Sequence, residues 1–227
     1  MDKIELVIFD MDGLMFDTET LSKGSWKIVG EKHGFIFSDE LFNEVIGLNI
    51  KATENVFKQA YGDDFPYVQL KEEKNKIMME EIKKSGIGIK KGLKECIKYL
   101  KGNNILIAIA SSSRRATIDF YLESANLLNE FDFIISGQEV ANGKPSPEIF
   151  LACCEKLNVK KENTLVLEDS INGIKAAYDG NIKVIYIPDL VKIPEEIEKL
   201  THQNLTDLLL VPEFIENINK VNCKNQG

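Results

Sequence analysis

Residues 4–13 read Ile-Glu-Leu-Val-Ile-Phe-Asp-Met-Asp-Gly. The first six residues form a short, largely apolar run of the size and composition of a strand buried on both faces of a parallel sheet. The run ends in Asp10 and Asp12, with Gly13 directly behind. In open parallel sheets ligands bind outside the carboxyl ends of the strands. Two carboxylates placed there would repel one another, and a divalent cation would relieve that repulsion. Gly13 lets the chain turn away sharply. On these four residues alone, a solvated acidic turn explains the pattern as well as a site does.

The character of the chain changes behind this stretch. From Thr18 to about Gly86 it is charged and shows helical spacing, with Leu41, Val45 and Ile46, then Val56 and Ala60, then Ile77, Met78 and Ile82 at intervals of three or four. Ser38-Asp39-Glu40 reads as a helix start with Ser38 as its cap. About four helices and no strand are expected here. Beyond Gly86 helix and strand alternate. Helices are expected at Leu93–Leu100, Arg115–Ala125, Pro147–Leu157 (capped by Ser146) and Ile171–Tyr178. Strands are expected at Ile105–Ala110, Phe131–Ile135, Thr164–Leu167 and Val184–Ile187. This alternation predicts an α/β fold with a doubly wound parallel sheet. The core domain is expected over residues 1–16 and 87–227, with a helical domain, 17–86, inserted after the first strand.

Three more stretches fall at or near strand ends. Ser111-Ser112-Ser113-Arg114 follows the second strand, where hydroxyls and free N–H groups suit a phosphate oxygen. Ser113 reads as the cap of the next helix and Ser111 as the ligand-facing residue. In Gly143-Lys144-Pro145-Ser146-Pro147 two prolines stiffen the loop around one lysine. Glu168-Asp169-Ser170 is a second acidic pair, where a hard cation finds oxygen ligands. Each has an ordinary reading as a cap, a solvated lysine or an acidic turn. Four such features in this order are not explained that way together.

Composition excludes several classes. Lysine and arginine number 28 against 36 aspartates and glutamates, so the net charge of −8 argues against a general nucleic-acid binder. No apolar run approaches the roughly 20 residues that span a bilayer, so no membrane partner is expected. Cys96, Cys153, Cys154 and Cys223 show no zinc-like spacing, and the N-terminus lacks the pattern of a secretory peptide. The expected setting is cytoplasmic with reduced thiols. With only His33 and His202, serine–histidine chemistry is disfavoured.

Taken together, FDMDG, the strand ending in Ser111, Lys144 in GKPSP, and LEDS resemble the four signature motifs of the haloacid dehalogenase superfamily. The opening FDMDGLMFDTE with its helical insertion resembles the β-phosphoglucomutases and related phosphatases. The resemblance implies that Asp10 is a nucleophile forming an aspartyl-phosphate. Asp12 would be the acid and then the base. Ser111, with Ser112 beside it, and Lys144 would hold the phosphoryl group. Mg²⁺ would be held by Asp10, the Asp12 carbonyl and Asp169, with Glu168 at or near it. The helical insertion would be a cap that closes over the site, hinged near Phe16-Asp17 and Lys84–Ile89. Thr18, Glu19, Ser22, Trp26, Asn49 and Lys51 are its candidate substrate residues, although Trp26 reads first as core.

The β-phosphoglucomutases that the chain resembles carry a histidine four residues after the position of Thr18, where Ser22 stands. They also carry an arginine three residues after a glycine, where Ile50 follows Gly47 and Lys51 comes one place later. A mutase must grip both ends of a bisphosphate, so these departures favour a phosphatase acting on a sugar phosphate or nucleotide-like monophosphate. A phosphosugar mutase is the alternative within the family. Dehalogenases and phosphonate hydrolases of the superfamily lack the second acid, so Asp12 opposes both. A non-catalytic phosphometabolite-binding protein is the alternative of another class, and the full set of catalytic groups opposes it. A monomer is expected, since the cap already shields the site.

Overall fold

The computed structural model describes residues 3–46 and 50–224. In chain order the elements are β1 (Leu6–Phe9), α1 (Thr18–His33), α2 (Asp39–Val45), α3 (Ile50–Tyr61), α4 (Tyr67–Ser85), α5 (Leu93–Gly102), β2 (Leu106–Ser111) and α6 (Arg115–Ser124). They continue as β3 (Phe133–Ser136), α7 (Glu148–Leu157), β4 (Thr164–Glu168), α8 (Ile171–Asp179), β5 (Lys183–Tyr186), α9 (Glu195–Glu198), β6 (Gln203–Asn204) and α10 (Val211–Lys224). The chain divides into two compact units, residues 1–16 with 88–227, and Asp17–Ile87.

The first unit is an α/β fold. Its sheet is parallel throughout, in the order β3-β2-β1-β4-β5-β6. Every residue of β1 and β4 is buried, as expected of strands covered on both faces. Strand order reverses between β1 and β4, which makes their carboxyl ends the switch point of the sheet. The register aligns Phe9 with Ile109 on one side and with Leu167 on the other. One residue further, Asp10, Ala110 and Glu168 therefore lie side by side at the carboxyl ends of three adjacent strands. The ladder continues through the Asp10 amide, which donates to the Leu167 carbonyl at 3.0 Å.

The expected strands of this unit form, with ends shifted by one or two residues. Three elements had no expectation. The one-turn helix α9 buries only Ile197. β6 is two exposed residues at the sheet edge, too short to show a period. The amphipathic helix α10 buries Val211, Ile215 and Ile218. Two caps differ from the expected residues. Arg114, not Ser113, precedes α6, and Pro147, not Ser146, precedes α7. The Ser146 hydroxyl still accepts from the Glu148 amide at 3.4 Å.

The second unit is helical, with α1 packed on α4. Ser38 caps α2 as expected, its hydroxyl accepting from the Leu41 amide at 3.2 Å. The core is aromatic. Trp26 stacks on Phe57 with ring centroids 4.8 Å apart and on Tyr67 at 5.9 Å, and meets Phe37 edge-on. At 5% exposure Trp26 is a core residue and not a substrate platform. The charged run Lys71–Lys84 includes one buried lysine. Lys74 falls on the buried stripe with Leu70 and Met78, its ammonium 6.0 Å above the Trp26 ring. Truncation of Trp26 to alanine is expected to lower the unfolding free energy by about 3–5 kcal/mol, read by urea denaturation. A change within experimental error would place Trp26 outside the core.

Candidate active site

The side chain at the centre of the site is Lys144. Its ammonium donates to Asp10 Oδ1 at 2.5 Å, to the Ala110 carbonyl at 2.9 Å and to Glu168 Oε1 at 2.6 Å. These are the three residues that the register sets side by side at the strand ends. The lysine side chain is 3% exposed, and its ammonium lies over the Phe150 ring, 4.8 Å from the centroid. The loop lysine of the sequence is thus a buried cation bridging two carboxylates.

Glu168 is fully buried and saturated. Its second oxygen accepts from the Asp169 amide at 3.0 Å, the Ser170 amide at 2.9 Å and the Ser170 hydroxyl at 2.9 Å. With both oxygens engaged it anchors Lys144. Ser170 also caps α8, accepting from the Gly173 amide at 3.1 Å. The first turn of α8 lies so close that a Cβ on Gly173 would meet Glu168 Oε1 at 1.7 Å. Alanine is ordinarily preferred to glycine within a helix, but here there is no room for it. Gly13 is required twice over. Its φ is +82°, and a Cβ there would meet Asp169 Oδ2 at 2.2 Å.

Asp12 is oriented from the end of β2. The Ser113 hydroxyl donates to its Oδ2 at 2.8 Å, and the Ser111 hydroxyl lies 3.5 Å from the same oxygen. The Ser113 amide donates to Ser111 Oγ at 3.1 Å, so the two serines form one tight turn. Ser113, expected as a helix cap, thus contributes to the site, whereas Ser112 is exposed. Ser136 on β3 supports the turn by donating to the Ser113 carbonyl at 2.6 Å. The pattern of serines in the sequence identified the turn but not which hydroxyl faces inward.

Burial pushes the Asp10 carboxyl up to about 8; Lys144 opposes this, and Glu168 and Asp12 add to it. Burial also works against the charged form of Lys144, but Asp10 and Glu168 outweigh it and hold the ammonium above its ordinary range. The two tendencies conflict at one contact, since an ion pair requires Asp10 ionised. Charge explains the conflict. Lys144 brings one positive charge to a cluster in which Asp10, Asp12, Glu168 and Asp169 can bring four negative ones.

Among the described residues, no three acidic, histidine or cysteine side chains stand together as a ready-made metal cage. A magnesium ion does not need one, because it takes one or two carboxylates and keeps several waters. The donor set fits such an ion. All candidate ligands are oxygens, the cluster has excess negative charge, and the buried Oδ2 of Asp189, beside Gly13, has no hydrogen-bond partner among the described residues. Asp10, the Asp12 carbonyl and Asp169 are the groups that would hold it.

The remaining candidate residues belong to the helical unit. Thr18 is buried at the first position of α1, its hydroxyl without a hydrogen-bond partner among the described residues. Glu19 is half-buried and Lys51 exposed. Ser22 accepts from Lys74 at 3.3 Å. Asn49 lies outside the described residues. His33 pairs with Glu73 at 2.8 Å, one of the ordinary roles open to a histidine at a helix end.

A family model described as haloacid dehalogenase-like hydrolase matches residues 7–187. The chain is 32% identical over 196 residues to a phosphorylated carbohydrates phosphatase of Thermotoga maritima, covering 81% of this chain and 84% of that one. It is 25% identical over 187 residues to hexitol phosphatase B of Escherichia coli, covering 82% and 84%. The fold superposes on a β-phosphoglucomutase from Clostridium difficile with a TM-score of 0.76 at 25% identity, covering 97% of this chain and 99% of that one. The chain belongs to the haloacid dehalogenase-like hydrolases, as an enzyme of the phosphatase type. No helix among the described residues is long and apolar enough to cross a membrane.

A pH dependence follows from Asp10. Its raised value favours the protonated folded protein, so its contribution to stability is full below the ordinary 3.8 and is lost as pH rises through about 8. A cation binds the ionised form and displaces that proton. The gain in melting temperature on adding Mg²⁺ is therefore expected to grow with pH across this range. A gain that is flat with pH would show that Asp10 does not lose a proton on cation binding.

Proposed function

We propose that the protein is a Mg²⁺-dependent phosphomonoester hydrolase acting on a small phosphorylated carbohydrate through an aspartyl-phosphate on Asp10. The observation that carries this reading is the contact of Lys144 with Asp10, Ala110 and Glu168 at the switch point, beside a second aspartate held by Ser113. The names of the relatives, a phosphorylated carbohydrates phosphatase and a hexitol phosphatase, support the substrate class.

Lys144 fixes one oxygen of Asp10 and leaves the other to attack phosphorus in line with the leaving oxygen. The lysine and the Ser111 turn offset charge on the equatorial oxygens, so the site acts by positioning and electrostatics. Asp12, oriented by Ser113, donates its proton to the leaving oxygen. It then takes a proton from the water that attacks the aspartyl-phosphate, which releases phosphate and restores Asp10. The cation, when bound, offsets the negative charge of the phosphoryl group and of Asp10 and Asp169. The helical unit is proposed to serve as a cap that carries the specificity residues, with Thr18, Glu19, Ser22, Asn49 and Lys51 as candidates.

The test is phosphate release from a panel of phosphomonoesters with and without Mg²⁺. Asp10→Asn is expected to reduce release to background. Asp12→Asn is expected to lower kcat by about 10²–10⁴-fold. Release that survives Asp10→Asn would overturn the mechanism. Conversion of β-glucose 1-phosphate to glucose 6-phosphate without net release would replace the phosphatase by a mutase.

A further inference from the structure

Asp189 follows the end of β5 in a loop that carries no recognisable motif. Its side chain is 4% exposed. Oδ1 accepts from Lys90 in an ion pair. Oδ2 is buried with no hydrogen-bond partner among the described residues. A buried carboxylate oxygen without a donor is costly and rarely retained unless a ligand or water satisfies it. The direction of that oxygen is defined by Gly13. The point that a Cβ on Gly13 would occupy lies 3.0 Å from Asp189 Oδ2 and 2.2 Å from Asp169 Oδ2. The two oxygens therefore lie no further apart than the sum of those distances, against the loop that carries Asp10 and Asp12.

Lys90 is itself tied to that loop, since its amide donates to the Met15 carbonyl at 2.9 Å. The loop closes on itself through the Gly13 amide, which donates to the Phe16 carbonyl at 3.0 Å. Lys90 thus fixes Oδ1, offsets the charge of the extra carboxylate and leaves Oδ2 turned towards Asp169.

We propose that Asp189 is a positioning residue of the cation site, its Oδ2 accepting a hydrogen bond from the hydration shell of the ion that Asp169 holds. Magnesium retains several waters when few protein groups ligate it, and those waters are strong donors that need acceptors. Asp189 Oδ2 is a fixed acceptor on the β5 side of the site. Lys90 pairs with the other oxygen of the same carboxylate and offsets its charge. This inference rests on the cation site proposed above.

The experiment measures binding of Mn²⁺, as a paramagnetic probe of the site, by the EPR signal of the free ion without substrate. Melting of the metal-free protein is measured alongside. Asp189→Asn keeps the shape and removes the charge. It is expected to weaken Mn²⁺ binding by about 10–100-fold, the usual effect of removing a group that orients metal ligands, with metal-free melting not lowered in proportion. Lys90→Gln leaves the carboxylate and removes a nearby positive charge, so Mn²⁺ binding is expected to hold or tighten. Unchanged affinity in Asp189→Asn, with equal losses of metal-free stability in the two variants, would reduce the pair to a structural salt bridge. Equal weakening of Mn²⁺ binding in both variants would also overturn the proposal, because the effect would then run through the fold. If Asp189→Asn does not fold, Lys90→Gln decides: Mn²⁺ binding that holds or tightens supports the proposal, and weakened binding overturns it. Wild-type protein that binds no Mn²⁺ would overturn the cation site itself, and this inference with it; wild-type binding unmoved by Asp189→Asn overturns this inference alone.

Discussion

The arrangement depends on one buried ammonium group. Three parallel strands end side by side, and two of them place a carboxylate at that end. Brought together without a cation, these charges would hold the strand ends apart or remain protonated. Lys144 crosses from a loop after β3 to touch all three ends at once: Asp10 Oδ1, the Ala110 carbonyl and Glu168 Oε1. The same contact that holds the sheet ends together orients the carboxylate proposed to attack phosphorus.

Backbone geometry makes the contact possible. The register of β1 against β2 and β4 brings the three residues into line, and two glycines admit the carboxylates. Without a Cβ, Gly173 lets the first turn of α8 lie against Glu168, and Gly13 lets Asp169 approach the loop behind β1. Glu168 is then saturated by its own strand end, through the amides of Asp169 and Ser170 and the Ser170 hydroxyl. Lys144 supplies one charge of the compensation the cluster needs, and a divalent ion at Asp10 and Asp169 would supply two more.

Much of this was legible in the sequence, for a physical reason. Buried parallel strands read as uninterrupted apolar runs, and polar residues directly behind them stand at the ligand-binding edge. Asp10, Asp12, Ser111, Glu168 and Asp169 follow such runs, and the proline-flanked Lys144 stands out in its loop. What the sequence left open are matters of direction. Nothing in Ser111-Ser112-Ser113 says that the third hydroxyl reaches Asp12 while the second faces solvent. Glu168 and Asp169 are adjacent letters, yet one is saturated by Lys144 and backbone amides and the other approaches Gly13. Lys74 sits in a run of charges, and only its phase with Leu70 and Met78 marks it as buried. Asp189 carries no motif, although the strand-end rule applied to β5 leads to its loop.

The central claim is that the carboxylate gripped by Lys144 carries the phosphoryl group during turnover. The most direct measurement is acid quenching during steady-state hydrolysis of a turned-over ester. The acyl-phosphate is then reduced with borohydride and the modified residue located by peptide mass spectrometry. The account predicts a single modified residue, Asp10, that is absent when substrate is omitted. Modification at another residue, or phosphate release with no modified aspartate and with inversion of configuration at phosphorus, would contradict it.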